Sequence, residues 1–298
     1  MTVPRMHDGE VEIQDDVVRR LVDRARPDLT SLPLLRLTTW GTDHVIYRLG
    51  DEYAVRLPKV DWAAEQCALE SRWLPLLRHR LPVAVPVPVL VGEPGEGYPF
   101  PWCLSPWLDG DPVSSATPLT PLALDLAAFV LALQSVDTTG APGPAEGARG
   151  GPLALADSAT RESAERLRGS TNVDALLHAW AAGVDAAPWS GPARWVHGDL
   201  MEGNLLLQGG RLAAVLDWGG LKAGDPAVEL MAAWSLFEGP SRMAYREALG
   251  FVDDAMWLRG RSWAVSAALM ALPYYRDTNP EIVARSWRVV AAVLADLA

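Results

Sequence analysis

Between Trp195 and Gly220 the chain reads WVHGDLMEGNLLLQGGRLAAVLDWGG. Asp199 follows His197-Gly198, Asn204 stands five positions after it, and Asp217 closes a hairpin whose turn is Gly209-Gly210. A carboxylate and an amide on one loop, with a second carboxylate across a short hairpin, converge on one volume. Hard oxygen donors in such a volume bind magnesium beside an incoming hydroxyl. Each residue also has a plainer reading: Asp199 as a turn residue, Asp217 as a strand end, His197 as a structural histidine. Their combined spacing favours chemistry for the two aspartates. His197 keeps the structural role, holding the loop through backbone hydrogen bonds.

In protein kinases the matching elements are HRDxxxxN and DFG, where the first Asp accepts or orients the acceptor hydroxyl proton and the Asn and second Asp hold magnesium. Here a glycine follows the histidine, and LDWG leads into Gly224-Asp225-Pro226-Ala227-Val228-Glu229-Leu230. This signature resembles the aminoglycoside phosphotransferases and related small-molecule kinases, over essentially the whole chain. The resemblance implies a protein-kinase-like bilobal fold and a Mg2+-dependent enzyme with ATP or GTP as co-substrate. It makes Asp199 the catalytic base and gives Asn204 and Asp217 to the metal.

The same resemblance requires a cation on the third strand to hold the α and β phosphates, and a glutamate on the next helix to fix it. Tyr53-Ala54-Val55-Arg56-Leu57-Pro58 takes that strand's place, with Arg56 at the usual lysine position. Arginine keeps the charge and offers a planar fork, but is not equivalent to lysine. Of the 26 basic residues only Lys59 and Lys222 are lysines, and Lys222 follows the Asp217 loop. The clamp is therefore Arg56 or Lys59; Arg56 is favoured because it shares a strand face with Ala54, whereas Lys59 lies beyond Pro58. Glu70 is preferred as its partner over Glu65, one helical turn earlier. The nucleotide loop spans 38–44, with Gly41 and Thr42 near the phosphates. A hinge at Pro106-Trp107-Leu108 meets the base through main-chain atoms, Pro106 only accepting and Leu108 N–H donating.

The elements that must position these groups follow from periodicity. Residues 14–26 place Val17, Val18, Leu21 and Val22 at helical spacing, with acids in the first turn. Three short apolar runs at 32–40, 44–50 and 52–58, separated by turn residues, predict an antiparallel meander. Residues 61–80 read as a helix with Asp61 as N-cap and a bend or stop at Pro75; strands follow at 86–92 and 101–107. After Asp109-Gly110-Asp111 helices dominate: 119–137, 157–168 and 172–187, then most of 226–298 with breaks near Gly239-Pro240, Asp253 and Pro273. The Gly-, Pro- and Ala-rich stretch 138–152 reads as a loop. The expected class is α+β: an N-lobe over 1–106 with a small antiparallel sheet and one helix, and a larger, mainly helical C-lobe over 107–298. The hinge falls at 105–110, and two lobes with one hinge imply a cleft for ligands.

With 298 residues and 49% hydrophobic content the chain can bury a full core, which excludes a disordered or fibrous protein. A net charge of -11 argues against nucleic acid and anionic membrane surfaces as partners. No apolar stretch reaches the roughly 20 residues of a membrane span, and no signal-peptide pattern appears. Cys67 and Cys103 fit neither a disulfide framework nor a zinc site, so a cytoplasmic location is expected. The acceptor is expected to be a small hydroxylated molecule, first an aminoglycoside-type antibiotic whose ammonium groups prefer an anionic pocket. Asp253, Asp254, Tyr274, Tyr275 and Asp277 are the residues proposed to line it. A metabolite such as an amino alcohol or sugar derivative, or a macrolide, is the alternative, and a non-catalytic nucleotide-binding pseudokinase stands behind both.

Overall fold

The computed structural model describes residues 5–37 and 42–297. The chain divides into two compact units. One comprises 1–79, 83–110 and 214–219; the other comprises 80–82, 111–213 and 220–298. The segment Ala214–Gly219, with Asp217, therefore belongs to the sheet-bearing unit although it follows a hundred residues of the other.

In the first unit α1 (Asp15–Ala25) buries Val18, Leu21 and Val22 and keeps Asp15 and Asp16 in its first turn, where the helix dipole favours them. Five strands follow: β1 (Leu34–Arg36), β2 (His44–Leu49), β3 (Tyr53–Pro58), β4 (Leu90–Gly92) and β5 (Trp102–Pro106), with α2 (Gln66–Leu77) between β3 and β4. They form one sheet in the order β1-β2-β3-β5-β4, every neighbouring pair antiparallel. Tyr47, Leu49, Val55, Leu57, Trp102 and Leu104 pack with the apolar face of α1 as its core. These two helices fall within the stretches 14–26 and 61–80 read as helical from the sequence. Asp61 does not cap α2: it opens a single 3-10 turn, Asp61–Ala63, and the helix starts at Gln66. Pro75 does not end the helix, which continues through it to Leu77.

The second unit holds β6 (Asp111–Pro112), α3 (Leu119–Gln134), α4 (Asp157–Glu165), α5 (Val173–Val184), β7 (Arg194–Val196), β8 (Leu205–Gln208), β9 (Arg211–Val215, whose end enters the first unit), β10 (Lys222–Gly224), α6 (Ala232–Ser235), α7 (Gly239–Leu249), α8 (Asp254–Tyr275) and α9 (Pro280–Ala295). α8 packs against α5 and α9, and α3 against α7. Small residues and a hydroxyl allow the α5–α8 approach: Ser262 Oγ donates to the carbonyls of Ala179 and Trp180 at 3.0 and 3.1 Å. The break expected at Pro273 comes later, since α8 runs to Tyr275. Among the described residues no helix is long and apolar enough to cross a membrane. Cys67 and Cys103 are buried free thiols.

The 138–152 stretch lacks helix and strand but is fastened down. Ala223 N–H donates to Pro142 O and Asp225 N–H to Gly150 O, both at 2.8 Å. This docking needs a glycine at 224, where a Cβ would lie 2.4 Å from Gly150 O. The loop therefore has a fixed place against β10, which itself pairs antiparallel with β7 and so with the start of the HGD segment.

Candidate active site

The first unit brings three of the expected residues together. Arg56 lies in β3 opposite Ile46 on one side and Cys103 on the other. Its Nη1 donates to both oxygens of Glu70 at 2.6 and 2.7 Å, and its Nη2 lies 3.4 Å from Asp217 Oδ1. Both Arg56 and Glu70 are buried. Burial alone would lower the Arg56 pKa; Glu70, then Cys103 and Asp217, outweigh it, and the guanidinium is held firmly charged. Burial pushes the Glu70 carboxyl up, and Arg56 and the Trp218 backbone N–H pull against that push. Glu65, the alternative, is exposed, and Lys59 is engaged elsewhere, 3.5 Å from Glu10. Asp217 has φ 59°, a left-handed backbone that non-glycine residues seldom adopt and aspartate tolerates better than most. Its side chain is about half exposed.

The second unit assembles the others. Asn204 ends the short turn Glu202–Asn204, and its Nδ2 donates to Asp199 O at 2.8 Å and to Asp199 Oδ2 at 3.2 Å. His197 is fully buried, and its Nδ1 accepts the Asp199 backbone N–H at 3.2 Å. Gly198, at φ 78°, makes the turn between the two residues. The other oxygen of Asp199, Oδ1, is ion-paired with Arg149 Nη1, which also donates to Gly198 O at 3.1 Å.

Three residues near this loop escaped the sequence reading. Arg149 lies in the stretch read only as a loop. Arg288 on α9 donates to both oxygens of Glu202 at 2.8 Å. Glu229, in the GDPAVEL motif, is buried and accepts the backbone N–H groups of His197 and Gly198. The motif itself was the available signal for Glu229: a glutamate in an otherwise apolar run must find donors once buried.

Glu229 carries a pH prediction. Burial first of all raises its pKa to about 7, against the pull of the two N–H donors. Because the folded value lies above the ordinary 4.5, the folded protein binds the extra proton between these values. The stabilising contribution is complete below about pH 4.5 and is lost as pH rises through about 7. Relative to Glu229→Gln, wild-type stability should fall by about 2–3 kcal/mol between pH 5 and pH 8. Denaturant melts of both proteins at the two pH values measure this, and parallel curves would contradict it.

The remaining candidates are placed as follows. Gly41 lies outside the described residues. The Thr42 hydroxyl donates to Asp43 Oδ1 at 2.7 Å, and its carbonyl is 3.2 Å from His7 Nε2. Pro106 ends β5, and Trp107 N–H donates to Glu52 O at 2.7 Å; Leu108 N–H has no hydrogen-bond partner among the described residues. Asp253 caps α8 by accepting Met256 N–H at 2.7 Å, and Asp254 pairs with Arg246 at 2.5 Å. Those bonds give both carboxylates a structural employment. Tyr274 and Tyr275 meet edge to face, with ring centroids 4.8 Å apart, at the end of α8; Asp277 is exposed in the turn that follows.

A family model described as the phosphotransferase enzyme family matches residues 35–263. No curated protein sequence matches the chain. Among solved structures, the GDP complex of aminoglycoside 2'-phosphotransferase-IIIa superposes with a TM-score of 0.74 at 18% identity, covering 96% of this chain and 100% of that one. Macrolide 2'-phosphotransferase MphH from Brachybacterium faecium gives 0.62 at 24% identity, covering 92% and 97%. A streptomycin–ATP ternary complex of APH(2")-IIa gives 0.60 at 16% identity, covering 96% and 97%. At these identities the likeness establishes the fold: an antiparallel-sheet unit and a helical unit of the kind those enzymes have.

Proposed function

This chain belongs to the phosphotransferase enzyme family, and we propose that it moves the γ-phosphoryl group of ATP or GTP onto a hydroxyl of a small molecule. The observation that carries the reading is the Asp199 loop: a carboxylate held by Asn204 and Arg149, on a turn whose backbone N–H groups are accepted by His197 and Glu229. Asp199 orients the acceptor hydroxyl and takes its proton. The hydroxyl oxygen bonds to the γ-phosphorus, the bond from that phosphorus to the bridging oxygen breaks, and the nucleoside diphosphate leaves with the electron pair. Arg56, fixed by Glu70, binds the α and β phosphates as a permanent cation. Thr42 and the Leu108 N–H are proposed contacts to phosphate and base.

A family of this kind implies magnesium, and the donor set fits it. Asn204 commits its Nδ2 to Asp199 and keeps an amide oxygen, and Asp217 offers carboxylate oxygen, both hard ligands suited to Mg2+. When bound, the ion would neutralise charge on the β and γ phosphates.

Kanamycin and streptomycin appear in complexes of related enzymes, so aminoglycosides are the first acceptors to assay. The second reading, a metabolite acceptor, is favoured by the cations around Asp199. A screen of nucleotide consumption over aminoglycosides, macrolides and metabolite alcohols tests the proposal. Acceptor-dependent consumption, with a phosphorylated product, is the expected result. Nucleotide binding with no transfer to any acceptor would instead indicate a pseudokinase.

A further inference from the structure

The protein carries a net charge of -11, yet the surroundings of Asp199 in the second unit are basic. Arg149 is ion-paired to Asp199 itself, from a loop held in place through Gly150 and Pro142. Arg288 docks α9 onto the Asp199 loop through Glu202. Arg285 lies three residues earlier on α9, one turn along the same face, and so is directed toward the same loop. Its guanidinium is half-buried and makes no hydrogen bond or ion pair among the described residues. Burial lowers its pKa, Asp199 and Glu202 raise it, and Arg149 and Arg288 lower it, which places all four within its electrostatic reach. Lys222 on β10 is likewise half-buried and without an ion pair among the described residues, with Arg149, Glu229 and Asp199 as its charged neighbours. Among the described residues, two cations are thus paired at this loop and two are not.

A half-buried guanidinium with nothing to bind is costly unless a ligand satisfies it. The pairing of Arg149 with Asp199 Oδ1 adds a functional constraint, because it occupies an oxygen of the proposed base. An acceptor bearing an anion offers Arg149 a replacement partner and releases Oδ1 to the hydroxyl. A polycationic acceptor offers none and adds like charge beside Arg285.

We propose that the acceptor carries a carboxylate or phosphate next to the hydroxyl that is phosphorylated, and that Arg149 and Arg285 bind this anionic group beside Asp199. The inference rests on the phosphotransferase reading above and narrows it to hydroxy acids and phosphorylated alcohols. No covalent step is added; only the proton path of Asp199 is freed.

The test uses matched acceptors and an acceptor-free measurement. Glycerate against glyceramide, glycerol 3-phosphate against glycerol, and kanamycin as a polycation are assayed for nucleotide consumption. In parallel, inorganic phosphate binding is followed by thermal shift with the nucleotide site saturated by a non-hydrolysable ATP analogue, in wild type, Arg285→Gln and Arg285→Lys. Phosphate should bind the nucleotide-loaded wild type, about 10- to 100-fold more weakly in Arg285→Gln, with partial recovery in Arg285→Lys. Any acceptor pair that turns over should favour its anionic member. The proposal is overturned by phosphate binding that is absent or indifferent to Arg285, or by turnover of kanamycin, glyceramide or glycerol at least equal to that of the anionic acceptors. It is also overturned if Arg285→Gln raises the KM of the nucleotide alone, since the cation would then serve the transferred phosphoryl group. In those cases the phosphotransferase reading stands. Failure of the wild type to bind the ATP analogue overturns both.

Discussion

Asp199→Asn should lower kcat with a good acceptor by at least about 100-fold, the loss expected when a main catalytic base is removed. The substitution keeps the side-chain volume and an oxygen for the Asn204 amide to donate to, so the loop has no reason to rearrange. What disappears is the ability to take the hydroxyl proton and the charge that faces Arg149. The side chain is partly exposed, so stability should change little, and nucleotide affinity should stay near that of the wild type because the proposed phosphate clamp belongs to Arg56. Rapid-quench or coupled assays of kcat, with a separate nucleotide titration, distinguish these effects. Turnover within about threefold of wild type would remove Asp199 from the base position.

The Asp199–Asn204 spacing and the strand-then-helix order of Arg56 and Glu70 were legible because each depends on a short stretch of chain. Within β3 the period of two decides which residues share a face, and burial separates Glu70, inside α2, from Glu65, exposed just before its start. Other features depend on contacts that no local pattern contains. Asp217 joins the sheet unit because 214–219 returns to it, as the Ala84 carbonyl accepting Val215 N–H at 3.1 Å illustrates. Arg149 looked like part of a linker, since Gly and Pro enrichment announces irregular backbone but not that the backbone is pinned to β10. Arg285 stands 86 positions after Asp199, and only the docking of α9, with Ser286, Val289, Val290 and Val293 buried, turns its guanidinium toward the loop. Asp253 and Asp254, an acidic pair at a helix start, form a cap and a surface ion pair, the structural role that such a position by itself favours.

The buried Arg56–Glu70 pair gives the second large effect, and separating its structural from its functional share requires three proteins. Glu70→Gln leaves the Arg56 charge buried without its main counter-ion, which typically costs 3–5 kcal/mol, so a drop of about 4 kcal/mol in unfolding free energy is expected. Replacing both partners by apolar residues of similar volume, Arg56→Met with Glu70→Met, removes the charge and its desolvation together and should recover most of that loss. A purely structural ion pair would therefore leave the double variant functional. If Arg56 is the phosphate clamp, the double variant instead folds and binds nucleotide at least about 10-fold more weakly than wild type, because a charge-assisted contact to phosphate is gone. Arg56→Lys completes the argument. Arginine uses Nη1 for Glu70 and Nη2 for Asp217, a span that a single ammonium does not reproduce. The lysine variant should keep the Glu70 pair and most of the stability while losing the Asp217 contact, and its nucleotide affinity should fall between those of the wild type and the double variant. Lys59→Ala is the control, since Lys59 is engaged with Glu10. Wild-type nucleotide affinity in the double variant, or a loss in Lys59→Ala as large as its own, would take the clamp away from Arg56.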